Sequence, residues 1–177
     1  MSNTLTKISA LRLHGEGPCE EALEWIESLG PDATVADAWA RCQRPDWMLW
    51  LVRAAGIDID DHALRVFAIE MRERRYRYWL ERSGSEPDQR SEEAIRVAWR
   101  YLRGLATQEE VRAAAAAAAT FDDANAANAA YDAYAAANDA YDAYDAAYAA
   151  AAYDAIAADA ADNAADRLRQ ICPEVTL

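Results

Sequence analysis

Carboxylates at helical spacing can hold a cation, or they can present a row of negative charge to a basic partner. Residues 121–166 contain ten Asp and no Lys, Arg or Glu. Residues 131–148 read YDAYAAANDAYDAYDAAY, with no Gly and no Pro to interrupt a helix. At about 100° per residue, Asp132, Asp139 and Asp142 align along one side, and Asp154 joins them if the helix stays regular. With Asp145 they form the candidate partner-binding set: Asp132, Asp139, Asp142, Asp145 and Asp154. Asp is a poorer helix former than Glu, so helix stability alone would select Glu here. Its shorter arm fixes the carboxylate more closely to the backbone. Such a row can imitate phosphates or meet a Lys/Arg cluster, speeding association and adding specificity. The alternative is a solvated, solubilising face. Paired carboxylates such as Asp122 with Asp123, or Asp142 with Asp145, lack the backbone-ligand loops of a divalent-ion site, so no metal is expected.

The other side of the same helix carries Tyr134, Tyr141, Tyr144 and Tyr148, which fall within about 80° of one another by that rotation. The small Ala residues between them permit close helix–helix approach. This stripe predicts a packing seam, with core burial as its simplest use and a homodimer interface as the other.

The elements that must carry these residues are helical throughout. Leu23, Trp25, Ile26 and Leu29 mark an amphipathic helix over Cys19 to Leu29, ended by Gly30-Pro31. Thr34 with Asp37 reads as a capping box, and Pro45 sits near the first turn of a helix, WMLWLVRAA, that is apolar nearly all round. Gly56 ends it. Asp60 or Asp61 caps a helix running to about Arg82, with apolar residues on two faces. That helix carries six Arg against three Glu (Glu70, Glu73 and Glu81), expected to pair within the chain; nucleic-acid binding is the alternative. SGSEPDQ (83–89) is a loop, Ser91 starts a further helix, and Gly104 ends it. Thr107 with Glu110 is a second capping box, opening a stretch from Ala113 to Ala165 in which 31 of 53 residues are Ala. A kink or turn is expected near 120–123, followed by one long helix or a hairpin. No period-two alternation occurs, so no sheet is expected. The predicted fold is all-α: a bundle of about six to eight helices with a long Ala/Asp/Tyr-rich C-terminal helix or helical hairpin. One domain is expected over residues 1–177, with a Trp-rich core (1–104) and an acidic helical segment (105–177).

Charge is unevenly divided. Of the net −13, residues 105–177 contribute −10, from 13 acidic against three basic side chains. That field repels nucleic acid and anionic membrane and attracts cationic partners. Three Cys without CxxC spacing and two distant His make no zinc pattern and no assignable triad. Phosphate-loop, dinucleotide, zinc-protease and nucleophile-elbow motifs are absent, so no enzyme and no cofactor is expected. Reduced thiols, no signal-like N-terminus and no long apolar run suit a cytoplasmic protein.

The segment AWARCQRPDWMLWLVRAAG (38–56), a Tyr-rich amphipathic helix, a closing run of Ala repeats and ADRLRQICP (165–173) together resemble an immunity protein family of bacterial and phage toxin–immunity systems. The matching positions are Trp39, Cys42, Asp46, Trp47, Leu49, Trp50 and Gly56, then the Ala lattice, then Arg169 and Pro173. The resemblance covers most of the chain. It implies an all-helical, non-enzymatic inhibitor of a toxin or nuclease and transfers no binding residues. Three readings follow. The first is an inhibitor of a basic toxin, nuclease or CRISPR-type effector through the Asp row. The second is a structural or oligomeric helical module joined by the Tyr seam. The third is an enzyme or metal protein, for which the residues give no basis.

Overall fold

The computed structural model describes Lys7, residues 19–118 and residues 164–176. Among the described residues the chain forms seven α-helices: α1 (Glu20–Ser28), α2 (Val35–Arg41), α3 (Pro45–Ala54), α4 (Asp61–Ser83), α5 (Gln89–Leu102), α6 (Gln108–Ala118) and α7 (Ala164–Ile171). A 3-10 turn, Pro173–Thr176, follows α7. No strand occurs among these residues; Lys7 and Thr34 make an isolated antiparallel bridge. The class is all-α, as periodicity requires. The long Asp/Tyr helix, the break near 120–123 and the Tyr stripe all lie outside the described residues.

Two compact units divide the chain. One comprises Met1–Asp60 with Ala151–Leu177, and the other Asp61–Ala150. The divisions between the units fall at 60/61 and 150/151.

In the first unit, local chemistry sets each helix end. The Thr34 hydroxyl accepts from the Asp37 N–H at 3.1 Å, and the Thr34 N–H donates to the Asp37 carboxylate at 2.9 Å, completing the capping box of α2. The Thr34 hydroxyl and N–H both donate to that carboxylate, which holds it below its ordinary range. Pro45 occupies the first turn of α3, where a missing N–H costs nothing. Gly56 then turns the chain at φ 63°. Ile26, Val35, Ala38, Leu51 and Ala55 pack as one buried cluster, with Trp25, Leu29 and Trp50 partly buried against it. Trp39, Met48 and Leu49 are fully buried.

The C-terminal elements complete this unit. α7 packs on α3, and the 3-10 turn packs on α2. Leu168, Cys172 and Val175 are each 0% exposed. Arg169 donates from Nε to the Trp39 carbonyl at 3.1 Å and from a terminal nitrogen to the Cys42 carbonyl. The carbonyls at the end of a helix lack intrahelical donors, so one guanidinium caps the end of α2 from across the chain. Asp166 holds the same guanidinium at 2.5 Å.

In the second unit α5 packs against both α4 and α6. The α5–α6 contact uses small residues, with Ala94 and Ala118 buried and Ala114 packed beside them. α4 buries Leu64, Phe67, Ala68, Ile69, Met71, Tyr76 and Leu80, drawn from both of its apolar faces. α5 begins at Gln89, two residues before the expected start at Ser91. The reason is Asp88, whose carboxylate accepts from the Ser91 N–H at 3.0 Å and from its hydroxyl at 2.9 Å. It is the N-cap residue of a helix whose first turn lies in the stretch read as loop. Thr107 and Glu110 cap α6 reciprocally, by N–H bonds of 2.6 and 3.2 Å.

Truncating Leu168 tests how far the first unit depends on its C-terminal piece. Leu168→Ala is expected to lower stability by about 2–5 kcal/mol, and Arg169→Leu by about 1–3 kcal/mol through the two abandoned carbonyls. Urea unfolding followed by tryptophan fluorescence measures both, and an unchanged midpoint in either variant contradicts the docking described.

Candidate functional site

The sequence-derived partner set, Asp132, Asp139, Asp142, Asp145 and Asp154, lies outside the described residues, as do Tyr134, Tyr141, Tyr144 and Tyr148. Among the described residues a groove of about 780 Å³ lies in the second unit, between α4 and α5. Gln89, Glu92, Arg96, Trp99 and Arg103 line it along one stripe of α5, spaced three and four apart as one helical face requires. Glu73 and Arg77 face them from α4.

This groove is organised by ion pairs that sequence reading anticipated only in outline, as arginines of the basic helix pairing within the chain. Arg77 reaches both oxygens of Glu92, one of them at 2.8 Å, and lies 3.7 Å from Glu73. The Glu92 hydrogen bonds hold the Arg77 guanidinium above its ordinary range. The Trp99 indole donates to Glu73 at 2.9 Å. Arg96 pairs with Glu93 one turn earlier. Arg100 instead donates to the Leu105 carbonyl at 2.9 Å, and the Arg103 guanidinium stands 5.9 Å from the Trp99 ring centre. At the mouth of the loop, the Tyr76 hydroxyl accepts from the Asp88 N–H at 3.2 Å. Burial pushes the Tyr76 hydroxyl above its usual range. For Asp88, burial pushes the carboxyl up, but the Ser91 N–H and hydroxyl outweigh it, and the group ends below its usual value.

A second cluster belongs to the first unit. Arg44 forms a forked pair with Asp46, at 3.0 and 2.7 Å, and lies 4.8 Å from the centre of the Trp47 ring. Trp25 meets Trp47 at 5.7 Å between ring centres. The cation, the carboxylate and the rings thus satisfy one another, which suits a packed surface more than a reactive site. Beside it, burial pushes the Cys42 thiol up to about 11, and the sulfur donates to the Arg44 carbonyl at 3.3 Å.

Among the described residues no three His, Cys, Asp or Glu converge as metal ligands do, and no helix is long and apolar enough to cross a membrane. No protein family, no characterised protein and no solved structure matches this chain.

Two measurements check this chemistry. Thiolate is the reactive form of cysteine, so one thiol, the exposed Cys19, is expected to react promptly with a disulfide reagent in the native protein. Cys42 and Cys172, both buried, should react only after unfolding; fast reaction at all three would contradict their burial. Asp88 has a depressed folded-state pKa, so its contribution is present above the unfolded value of 3.8 and fades as pH falls through the lower folded value. Asp88→Asn keeps a capping oxygen and is expected to flatten the acid limb of the stability curve, while neutral-pH stability changes less. An unchanged acid limb in thermal melts at stepped pH would show that Asp88 is not the titrating group.

Proposed function

We propose that this protein is a non-enzymatic inhibitor that binds a basic protein through an acidic helical face formed by Asp132, Asp139, Asp142, Asp145 and Asp154. The partner class is a toxin, a nuclease or a nucleic-acid-handling defence complex of the CRISPR type. The protein would act as an immunity protein does, or as a nucleic-acid mimic. The observation that carries this reading is the ten Asp of residues 121–166, unrelieved by a single cation. Carboxylates that cannot be neutralised from within their own segment are available to a cationic surface, where they steer association.

Two features of the described residues support it. Arg169, one of the three basic side chains in residues 105–177, is occupied by Asp166 and the carbonyls of Trp39 and Cys42. Arg77 of the basic helix is engaged with Glu92 and Glu73, which weakens the case for α4 as a nucleic-acid surface. The positions resembling immunity proteins do fold-forming work here: Trp39 and Leu49 are fully buried, Pro45 precedes Asp46 in the first turn of α3, and Arg169 caps α2. Engaged in the fold, they leave the partner surface to the acidic segment. Free thiols at Cys19, Cys42 and Cys172 fit a reducing, cytoplasmic setting. The Tyr stripe favours a second reading, a structural module that oligomerises through Tyr134, Tyr141, Tyr144 and Tyr148 without inhibiting anything.

The test uses the tagged full chain as bait in host lysate at low and moderate salt, with Asp132→Asn/Asp139→Asn/Asp142→Asn/Asp145→Asn as comparison. The wild type is expected to retain a basic protein stoichiometrically and to release it as salt rises. The quadruple variant should associate with that purified protein about tenfold or more slowly, with its thermal unfolding unchanged. Equal association rates for both would rule out the acidic face.

A further inference from the structure

The first unit is closed by a piece of chain that takes no part in one of its buried clusters. Ile26, Val35, Ala38, Leu51 and Ala55 pack together and all precede Asp60. The C-terminal piece is α7 with the 3-10 turn. α7 packs against α3, and the turn packs against α2. The side chains it buries are mostly small: Ala164, Ala165, Leu168, Cys172 and Val175. Its polar tie is the Arg169 guanidinium on the carbonyls of Trp39 and Cys42. Asp166, which pairs with Arg169, belongs to α7 itself and has a side chain 57% exposed, so that ion pair binds the piece to nothing else.

α7 has 8 residues, and isolated helices shorter than about 12–15 residues are marginal in water. α7 therefore keeps its helix by docking, and the helix and the docking are lost together. Segments with few buried contacts open at less cost than the core they rest on. We propose that α7 and the 3-10 turn form a latch that undocks as one unit while α1, α2 and α3 stay folded, and that undocking weakens binding of the basic partner. The link between the two is covalent. Buried Ala164 stands two positions after Asp162, the ninth Asp of the acidic run, so an undocked α7 withdraws the anchorage at that end of the run. A binding segment held less firmly costs more ordering entropy when a partner takes it up. By reciprocity, a partner that binds better with the latch docked must also hold it shut. This coupling rests on the inhibitor reading; the opening of the latch does not.

Cys172 joins α7 to the turn and is 0% exposed, so its modification reports release of the latch. The full chain is labelled with a maleimide in steps of urea below the unfolding transition. Peptide mass spectrometry follows Cys172, and tryptophan fluorescence follows global unfolding. An opening confined to the latch exposes little surface, so Cys172 labelling is expected to depend only weakly on urea. Arg169→Gln is expected to raise the rate about tenfold without urea and to keep that weak dependence. Labelling of Cys172 that tracks global unfolding with its full urea dependence overturns the latch, as does an unchanged rate in Arg169→Gln. With the purified basic protein captured by the full chain bound, wild-type Cys172 should label several-fold more slowly, and Arg169→Gln should release that protein several-fold faster. Rates unmoved in both measurements overturn the coupling while leaving the inhibitor reading intact. Capture of no basic protein removes the inhibitor reading and the coupling together, and the urea dependence still decides the latch.

Discussion

One guanidinium ties together the two chain segments of the first unit. Arg169 donates to the carbonyls of Trp39 and Cys42, which stand 130 and 127 positions away in the chain. That contact seats α7 where the last carbonyls of α2 need donors, and it brings Leu168, Cys172 and Val175 into the buried interior of the first unit. The chain leaves that unit after Asp60, forms the second, and returns to the first over Ala151–Leu177. The run of Asp residues therefore lies, in sequence, between two packed helices. It follows α6, whose Val111, Ala115 and Ala118 are buried, and it precedes α7, whose Ala164, Ala165 and Leu168 are buried. Packed residues border it on both sides.

The distribution of charge follows the same division. In the second unit, carboxylates and guanidinium groups interleave along the facing sides of α4 and α5, so Arg77, Glu73 and Glu92 settle one another's charge. Exposed pairs of this kind contribute little to stability, roughly 0–1 kcal/mol each. Their effect is to leave the groove, lined by four Arg and three Glu, close to electrical balance. Residues 121–166 have no such internal balance. Ala gives that segment helix propensity and almost no side-chain chemistry, so its Asp and Tyr residues carry nearly all of its capacity to recognise anything.

Much of the helix plan was readable because its determinants are local. Thr34 with Asp37, Pro45, Gly56, and Thr107 with Glu110 each act within four residues, and each marks the helix end where it is observed. Asp88 shows the limit of that reading: the Asp-x-x-Ser signal at 88–91 was present, but Ser91 is the donor and Asp88 the cap, so the helix starts earlier. The contacts that organise the surfaces were not readable. Arg77 meets Glu92 from 15 positions away, and Trp99 meets Glu73 from 26; nothing in periodicity specifies which arginine on a basic helix finds which acid. Arg169 stood out as a matching position of a familiar pattern, yet only the folded chain shows that its partners are backbone carbonyls. The Asp row is the reverse case, conspicuous in sequence by composition alone.

The measurement that bears most directly on the central claim is carboxylate footprinting of the protein, free and bound to the cationic protein it captures. Carbodiimide labelling read by mass spectrometry reports each Asp and Glu separately. The account predicts strong protection of Asp132, Asp139, Asp142 and Asp145 in the complex, with exposed carboxylates such as Glu20 and Glu81 labelled as in the free protein. Labelling of the Asp row at its free-protein rate within an intact complex would contradict the account and place the binding surface elsewhere.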